Sequence, residues 1–398
     1  MACFLSDNLR SDRAFFFYRG RVALYAFLKA IGVAAGDEIL LQAFTCLAVP
    51  SPVLGIGAQP VYVDIDAATL NIDPTKIEAK ITNRTKAIIV QHTFGVPAEM
   101  HPILEIARRH NLYVIEDCCH SIKSSYRGQE VGSFGHAAFY SFEWGKPIVV
   151  GVGGCAIVND ADIAAEMRAD YVNFLTPSIS EHAMINAEYF AHRYMLTPSL
   201  FWTLRDAYRF MSNRGLIVGS FRAEEFEGRV SPDYSKRMFD GLKRRLIKKL
   251  AGVQSTVSHM REVTSGYVSM LTNLGYQPTE LNADADPVYL RYPLSLDHKA
   301  EVIEAARRNR VEASAMFVSP VHPLQDEELR LVHYQPGSCP IAEAASQRVV
   351  SFPTHGKIGV KELEKTRLLF GRLKKDDLLQ VSNASNCGGL FLSSASQN

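Results

Sequence analysis

Short apolar runs alternate with stretches of helical spacing as far as Asp160. Glu38-Ile-Leu-Leu-Gln42, Pro60-Val-Tyr-Val-Asp64, Lys86-Ala-Ile-Ile-Val90, Leu112-Tyr-Val-Ile-Glu116, Ala137-Ala-Phe-Tyr-Ser-Phe142 and Cys155-Ala-Ile-Val158 read as strands. Apolar residues spaced for one helix face run from Val22 to Ile31. Further helices are expected over Glu99–His110 and over Pro74–Ile81, where Asp73 suits the N-cap and Pro74 the first helical position. Strands alternating with helices imply crossover connections, and so a mainly parallel sheet in an α/β domain.

The pattern changes after Asp160. A helix to about Tyr171 leads into residues 173–221, rich in aromatics and leucine and broken by Pro177 and Pro198. Glu224–Asp240 is highly charged, and the basic set Lys243-Arg-Arg245 and Lys248-Lys249 reads as a solvated helix face. From Val253 a long helix enters a smaller α+β unit with strand-like Pro287-Val-Tyr-Leu-Arg-Tyr292 and Val349-Val-Ser-Phe352. Near the start, Phe15-Phe-Phe-Tyr18 is expected to staple an arm to the body or to form a wall of the active site. The expected organisation is an arm (1–18), a large domain (19–240, with a helical aromatic insertion at 173–225), a small domain (241–380) and a disordered tail (381–398).

Composition narrows the class. The chain has 398 residues and a net charge of +1, which predicts no nucleic-acid partner. Seven cysteines without metal-type CxxC spacing favour a reduced protein over a disulfide scaffold. No apolar run is long enough to span a membrane, and the first residues lack the basic-then-apolar order of a signal peptide, so a cytoplasmic protein is expected.

The candidate chemistry lies between Leu112 and Asp160. Asp117 leaves the end of one strand and Lys146 follows the end of another, beside Gly151, Gly153 and Gly154. A pyridoxal phosphate (PLP) site needs this pair: the lysine amine condenses with the aldehyde as a Schiff base, and the carboxylate pairs with the pyridinium nitrogen. Both groups would occupy the crevice at the carboxyl ends of the strands. Gly20 and Arg21 fall at a helix N-terminus, where amides favour an anion.

These elements resemble the PLP-dependent sugar aminotransferases of the DegT/DnrJ/StrS type, from about Arg19 to about Phe370. The resemblance rests on Gly36-Asp-Glu38, Ala43-Phe-Thr45, Gly57-Ala-Gln-Pro60 with Val63-Asp64, Thr85-Lys-Ala-Ile-Ile89, Ile115-Glu-Asp117 with His120, and Gly132-Ser-Phe-Gly135. It continues through Ser141-Phe142 with Lys146, Gly153-Gly154, Pro320-Val-His-Pro323, Pro340-Ile-Ala-Glu343 and Phe352-Pro-Thr-His355. It implies fold type I: a large domain on a mainly parallel mixed sheet and a smaller C-terminal α+β domain.

The resemblance also assigns roles. Lys146 is the Schiff-base and proton-transfer lysine, Asp117 the pyridinium partner, Ser141 a phosphate ligand and His120 a hydrogen-bond partner of the phenolic oxygen; no metal is implied. Gly20-Arg21 stands where the family has a small Gly-Thr-type phosphate cradle, and a guanidinium can bind phosphate bidentately. Cys46 replaces the aromatic that stacks on the cofactor ring, which leaves Phe44 or His92 for that task. Tyr234-Ser-Lys-Arg-Met238 resembles a stretch that reaches the neighbouring subunit's phosphate, so Arg237 is expected to act across a homodimer. The implied reaction moves an amino group from an amino acid, such as glutamate, to a nucleotide-linked keto-sugar. The alternative is another PLP-dependent dehydration, elimination or side-chain reaction on a non-sugar substrate.

Overall fold

The apolar runs come together in one seven-stranded sheet. Its spatial order is Ala14–Phe17, Gly154–Val158, Ala137–Ser141, Tyr113–Asp117, Thr85–Gln91, Glu38–Gln42 and Gln59–Val63. The computed structural model describes residues 3–194, 198–214, 221–278, 281–379 and 393–394. Five strands, from Ala137–Ser141 to Gln59–Val63, are parallel, and the other two are antiparallel to their neighbours. The sheet is therefore mixed but mainly parallel, the architecture of fold type I.

Both faces of this sheet are covered, which is why its strands read as continuous apolar runs. Ile39, Leu41, Ile89, Ile115 and Phe139 pack against the helices Gly20–Ala30 and Ala161–Tyr171. Leu40, Ile88, Val90 and Val114 meet Met100–Arg109 on the other face, where Ala138, Tyr140 and Ile157 meet Asp240–Leu250. The helix Val253–Asn273 joins two cores: Val253, Val257 and Met260 enter the large one, whereas Val263, Tyr267 and Leu271 pack with Tyr292, Leu294 and Phe352.

Three expectations need correction. Phe15-Phe-Phe17 is neither a staple nor a wall but most of an edge strand, with Phe15 opposite Ala156 and Phe17 opposite Gly154. Consecutive phenylalanines serve both faces: Phe15 and Phe17 enter one core, Phe16 and Tyr18 the other. The strand expected over Pro287–Tyr292 instead spans Arg291–Ser295 and pairs with Val349–Pro353, because Val288 and Leu290 spend their amides on Ser124 Oγ and the Phe94 carbonyl. The basic helix Asp240–Leu250 is only partly solvated: Arg245 donates to the Val150 carbonyl at 2.8 Å and to Asn186 at 2.6 Å.

The aromatic segment contains the helices Ile179–Tyr194 and Phe201–Asn213. Ile185 anchors the first of these, fully buried against Gly151, whereas Ile179, Phe190 and Tyr194 face solvent. Among the described residues no helix is long and apolar enough to cross a membrane. The expected disordered tail lies outside the described residues except for Ser393–Ser394.

Glu116 fixes the turn before the Ala137–Ser141 strand. Its oxygens accept from the amides of Gly132 (2.6 Å), Phe134 (2.7 Å) and Gly135 (2.8 Å), and from His92 Nε2 (3.2 Å). Because His92 Nδ1 accepts from the Ala98 amide, its proton belongs on Nε2. Glu116→Gln would set an NH2 group against at least one pair of these donors, at a cost of about 1–3 kcal/mol per orphaned donor. Its denaturation midpoint is expected to fall clearly below wild type; coincident melts would contradict this role for Glu116.

Candidate active site at the carboxyl edge of the sheet

Strand register places the candidate groups on one edge. Gln91 is opposite Asp117, Asp117 is opposite Phe139, and Ser141 lies two residues further along the same strand. Asp117 is buried and accepts from the Cys119 amide at 2.9 Å. Burial raises its pKa, against the opposing effects of that amide and the Lys146 charge. Lys146 is half-buried on the turn that follows Ser141, beyond Gly145 at φ 75°. Its charge bears on Asp117, His120, Cys46 and Cys119, so the fold unites a strand-end carboxylate, a lysine, an imidazole and a thiol.

His120 Nδ1 accepts from the Phe94 amide at 3.4 Å. Burial, then Lys146, pushes its pKa well below the ordinary histidine value, so the ring is neutral and Nε2 carries the proton. Nε2 is therefore a donor, as a phenolic oxygen requires. Phe94 stacks beside the imidazole at 6.2 Å and 19°, while Phe317 lies 6.4 Å from it. Phe94 and Phe44 both hold positive φ, 54° and 63°, a costly backbone state for an aromatic residue.

The phosphate end is shaped by close packing. A Cβ on Gly20 would lie 3.0 Å from Ser141 Cβ, and one on Gly154 would lie 2.3 Å from the Arg19 carbonyl and 2.4 Å from the Gly20 nitrogen. Glycine at these positions lets the N-terminus of the Gly20–Ala30 helix abut the Ser141 strand. First-turn amides lack intrahelical acceptors and favour an anion. With the Ser141 hydroxyl beside them, the residues present fit a phosphate group.

Arg21 is buried, donating to Glu225 Oε1 at 2.7 Å with its guanidinium 4.5 Å from the Phe221 ring. Cys46 lies on the two-residue strand Thr45–Cys46, which pairs with Val321–His322; burial raises its thiol pKa. Of the two aromatics expected to replace the ring stack, His92 is fully buried on Glu116, whereas Phe44 packs 4.4 Å from Phe317. His92, Glu116 and Cys118 lie within metal-ligating reach of one another, but the Glu116 oxygens and His92 nitrogens already hold the bonds described above. Arg237 stands apart: it is exposed and donates to Thr176 Oγ1 at 2.9 and 2.7 Å.

Sequence reasoning missed Arg19 and Phe94. The buried Arg19 guanidinium donates to Glu143 at 3.1 Å and Asp233 at 3.2 Å, tying the lysine turn to the segment that carries Arg237. Neither partner is near in sequence, so no local spacing reveals the link. Phe94 had a signal, an aromatic after the Thr85–Gln91 strand and before Gly95.

Known proteins resemble this chain at several levels. It is 47% identical over 149 residues to GDP-perosamine synthase of Caulobacter vibrioides, a match covering 37% of this chain and 40% of that protein. The chain thus spans less than half the length of the curated relative at that level of identity. The spore coat polysaccharide biosynthesis protein SpsC of Bacillus subtilis is 27% identical over 340 residues, covering 84% of this chain and 78% of that one. A Streptococcus pneumoniae protein described as a sugar aminotransferase, solved in a PLP form, superposes with a TM-score of 0.71 at 18% identity, over 94% of this chain and 89% of that chain. The model of the DegT/DnrJ/EryC1/StrS aminotransferase family matches residues 5–366, and the chain belongs to that family.

Proposed function

We propose that the chain is a PLP-dependent aminotransferase that carries an amino group from an amino acid, glutamate in the simplest case, to a nucleotide-linked keto-sugar. The observation that carries this reading is the convergence of Lys146, Asp117 and His120 at the strand ends, beside a glycine-lined helix N-terminus at Ser141. PLP, when bound, supplies the electron sink on which an amino group is held and passed on. Lys146 Nζ takes and returns the substrate proton as general base and acid. Asp117 would hold the pyridine nitrogen protonated, His120 Nε2–H would donate to the phenolic oxygen, and Ser141 with the first amides of the helix would hold the phosphate. A cytoplasmic setting belongs to the same reading, supported by the described cysteines, all present as free thiols.

The working unit in this reading is a homodimer with shared sites. Exposed Val172 and Leu175 flank the strip where Arg237 meets Thr176, an apolar surface suited to burial by a second copy.

Reduction of the PLP-loaded protein with borohydride, followed by peptide mapping, is expected to place the label on Lys146. A label on any other lysine would end this reading. Asp117→Asn is expected to fold and bind PLP but to lose about 100-fold or more in turnover, since the amide keeps the shape and removes the charge. Unchanged turnover in the loaded variant would refute its role. Mixing inactive Lys146→Ala and Arg237→Ala chains tests the shared site, because a heterodimer contains one site with both residues intact. Activity should return; its absence after verified subunit exchange would remove Arg237 from the partner's site.

A further inference from the structure

Around the end of the Thr85–Gln91 strand, Gln42, Thr45, Asn71, Gln91 and Thr93 form a buried polar network to which the amino-transfer chemistry assigns no task. Gln91, opposite Asp117 in the sheet, lies at its centre. Its Oε1 accepts from Thr45 Oγ1 at 2.7 Å, and its Nε2 donates to Thr93 Oγ1 at 2.9 Å and reaches the Phe44 carbonyl at 3.5 Å. Gln42 Nε2 donates to the same Thr93 oxygen at 3.0 Å and to the Leu70 carbonyl at 3.1 Å. Asn71 completes the set: its Oδ1 accepts from the Thr93 amide at 2.7 Å, and its Nδ2 donates to the Val96 carbonyl at 3.0 Å.

These bonds converge on Thr93, the residue before Phe94. Phe94 holds φ 54°, a state that persists only where the surroundings over-determine it. Its amide donates to His120 Nδ1, and its carbonyl accepts from the Leu290 amide at 2.8 Å. At 3.4 Å the contact with Nδ1 is at the long end of the hydrogen-bond range, so a small turn of the Thr93–Phe94 peptide breaks it. The clamp on Thr93 thus controls whether the His120 contact forms. Apolar side chains would fill these positions without desolvating carboxamides and hydroxyls, whereas a satisfied polar network specifies a single geometry.

We propose that Gln91 is a positioning residue for His120: through Thr93 it aims the Phe94 amide at Nδ1, which keeps the His120 proton on Nε2 and that donor directed at the phenolic oxygen of PLP. This rests on the PLP-dependent aminotransferase reading and deepens it, because it traces one cofactor contact to glutamines at the ends of two neighbouring strands. The visible band of lysine-bound PLP follows the proton on the linking nitrogen. A donor on the phenolic oxygen stabilises the negative charge left there when that proton departs, so weakening the donor raises the pH of the transition.

The test is a pH titration of the visible band in PLP-loaded wild type, Gln91→Met, His120→Phe and the double variant, with Lys146 and Asp117 intact throughout. His120→Phe is expected to raise the transition, and Gln91→Met to raise it by about half a pH unit or more, roughly a threefold change in the proton equilibrium. Added to His120→Phe, Gln91→Met should produce no further shift, because its effect runs through the imidazole. A merely structural role would lower the denaturation midpoint of Gln91→Met without moving the band. Thr93→Val removes the hydroxyl that both glutamines reach while keeping the shape, and it takes the place of Gln91→Met should that variant fold poorly. The inference falls if His120→Phe or Gln91→Met leaves the transition where wild type has it, or if Gln91→Met shifts it equally without His120. Failure of the wild-type protein to form any visible band with PLP would instead remove the PLP reading itself.

Discussion

Two adjacent carboxylates on one strand, Glu116 and Asp117, point to opposite faces of the sheet because side chains alternate along a strand. Glu116 is bound to three backbone amides and His92, so it acts as a mechanical fixture. It holds the Gly132–Gly135 turn, which delivers the next strand, and with it Ser141 and Lys146, into register with Asp117. Asp117, one residue on, is buried at the strand end, where its carboxylate accepts from the Cys119 amide. A buried carboxylate with its oxygens satisfied adds rigidity without reactivity, and the site depends on that rigidity.

A second constraint is electrostatic. Arg19 and Arg21 flank Gly20 at the helix N-terminus, and each is buried against a carboxylate from a distant segment. Pairs of this kind contribute little net stability, because desolvation offsets attraction, but removing one partner strands the other. Their consequence here is positional. Arg19 fastens Glu143 on the lysine turn to Asp233, while Arg21 fastens the Phe221–Glu225 stretch to the N-terminus of the Gly20–Ala30 helix. Asp233 also accepts from Arg222 and Lys236, so charges from several parts of the chain meet at one knot.

The helix Ile179–Tyr194 has an unusual orientation. Its inward face carries His182, Asn186 and His192 in stacked or hydrogen-bonded contacts, while Ile179, Phe190 and Tyr194 are exposed. Apart from the buried Ile185, polar side chains meet the body and apolar ones face water, the opposite of the ordinary pattern. Aromatic content in the sequence therefore pointed to a packed helix without showing which side was packed.

Local pattern determined the strands, several helices and the strand-end pair Asp117 and Lys146, because buried parallel strands must be apolar and ligands gather at their carboxyl ends. Each strand of the large sheet that the pattern predicted forms within one residue of its expected bounds. Pattern failed for Phe15–Tyr18, where an unbroken aromatic run hides period-two alternation when both faces are covered. Only the tertiary structure decided the links between distant residues: Arg19 with Glu143 and Asp233, Phe94 beside His120, and Trp144 on His192. Hydrogen bonds and ring contacts act over a few ångströms in space, and no spacing along the chain encodes which distant side chains the fold brings that close.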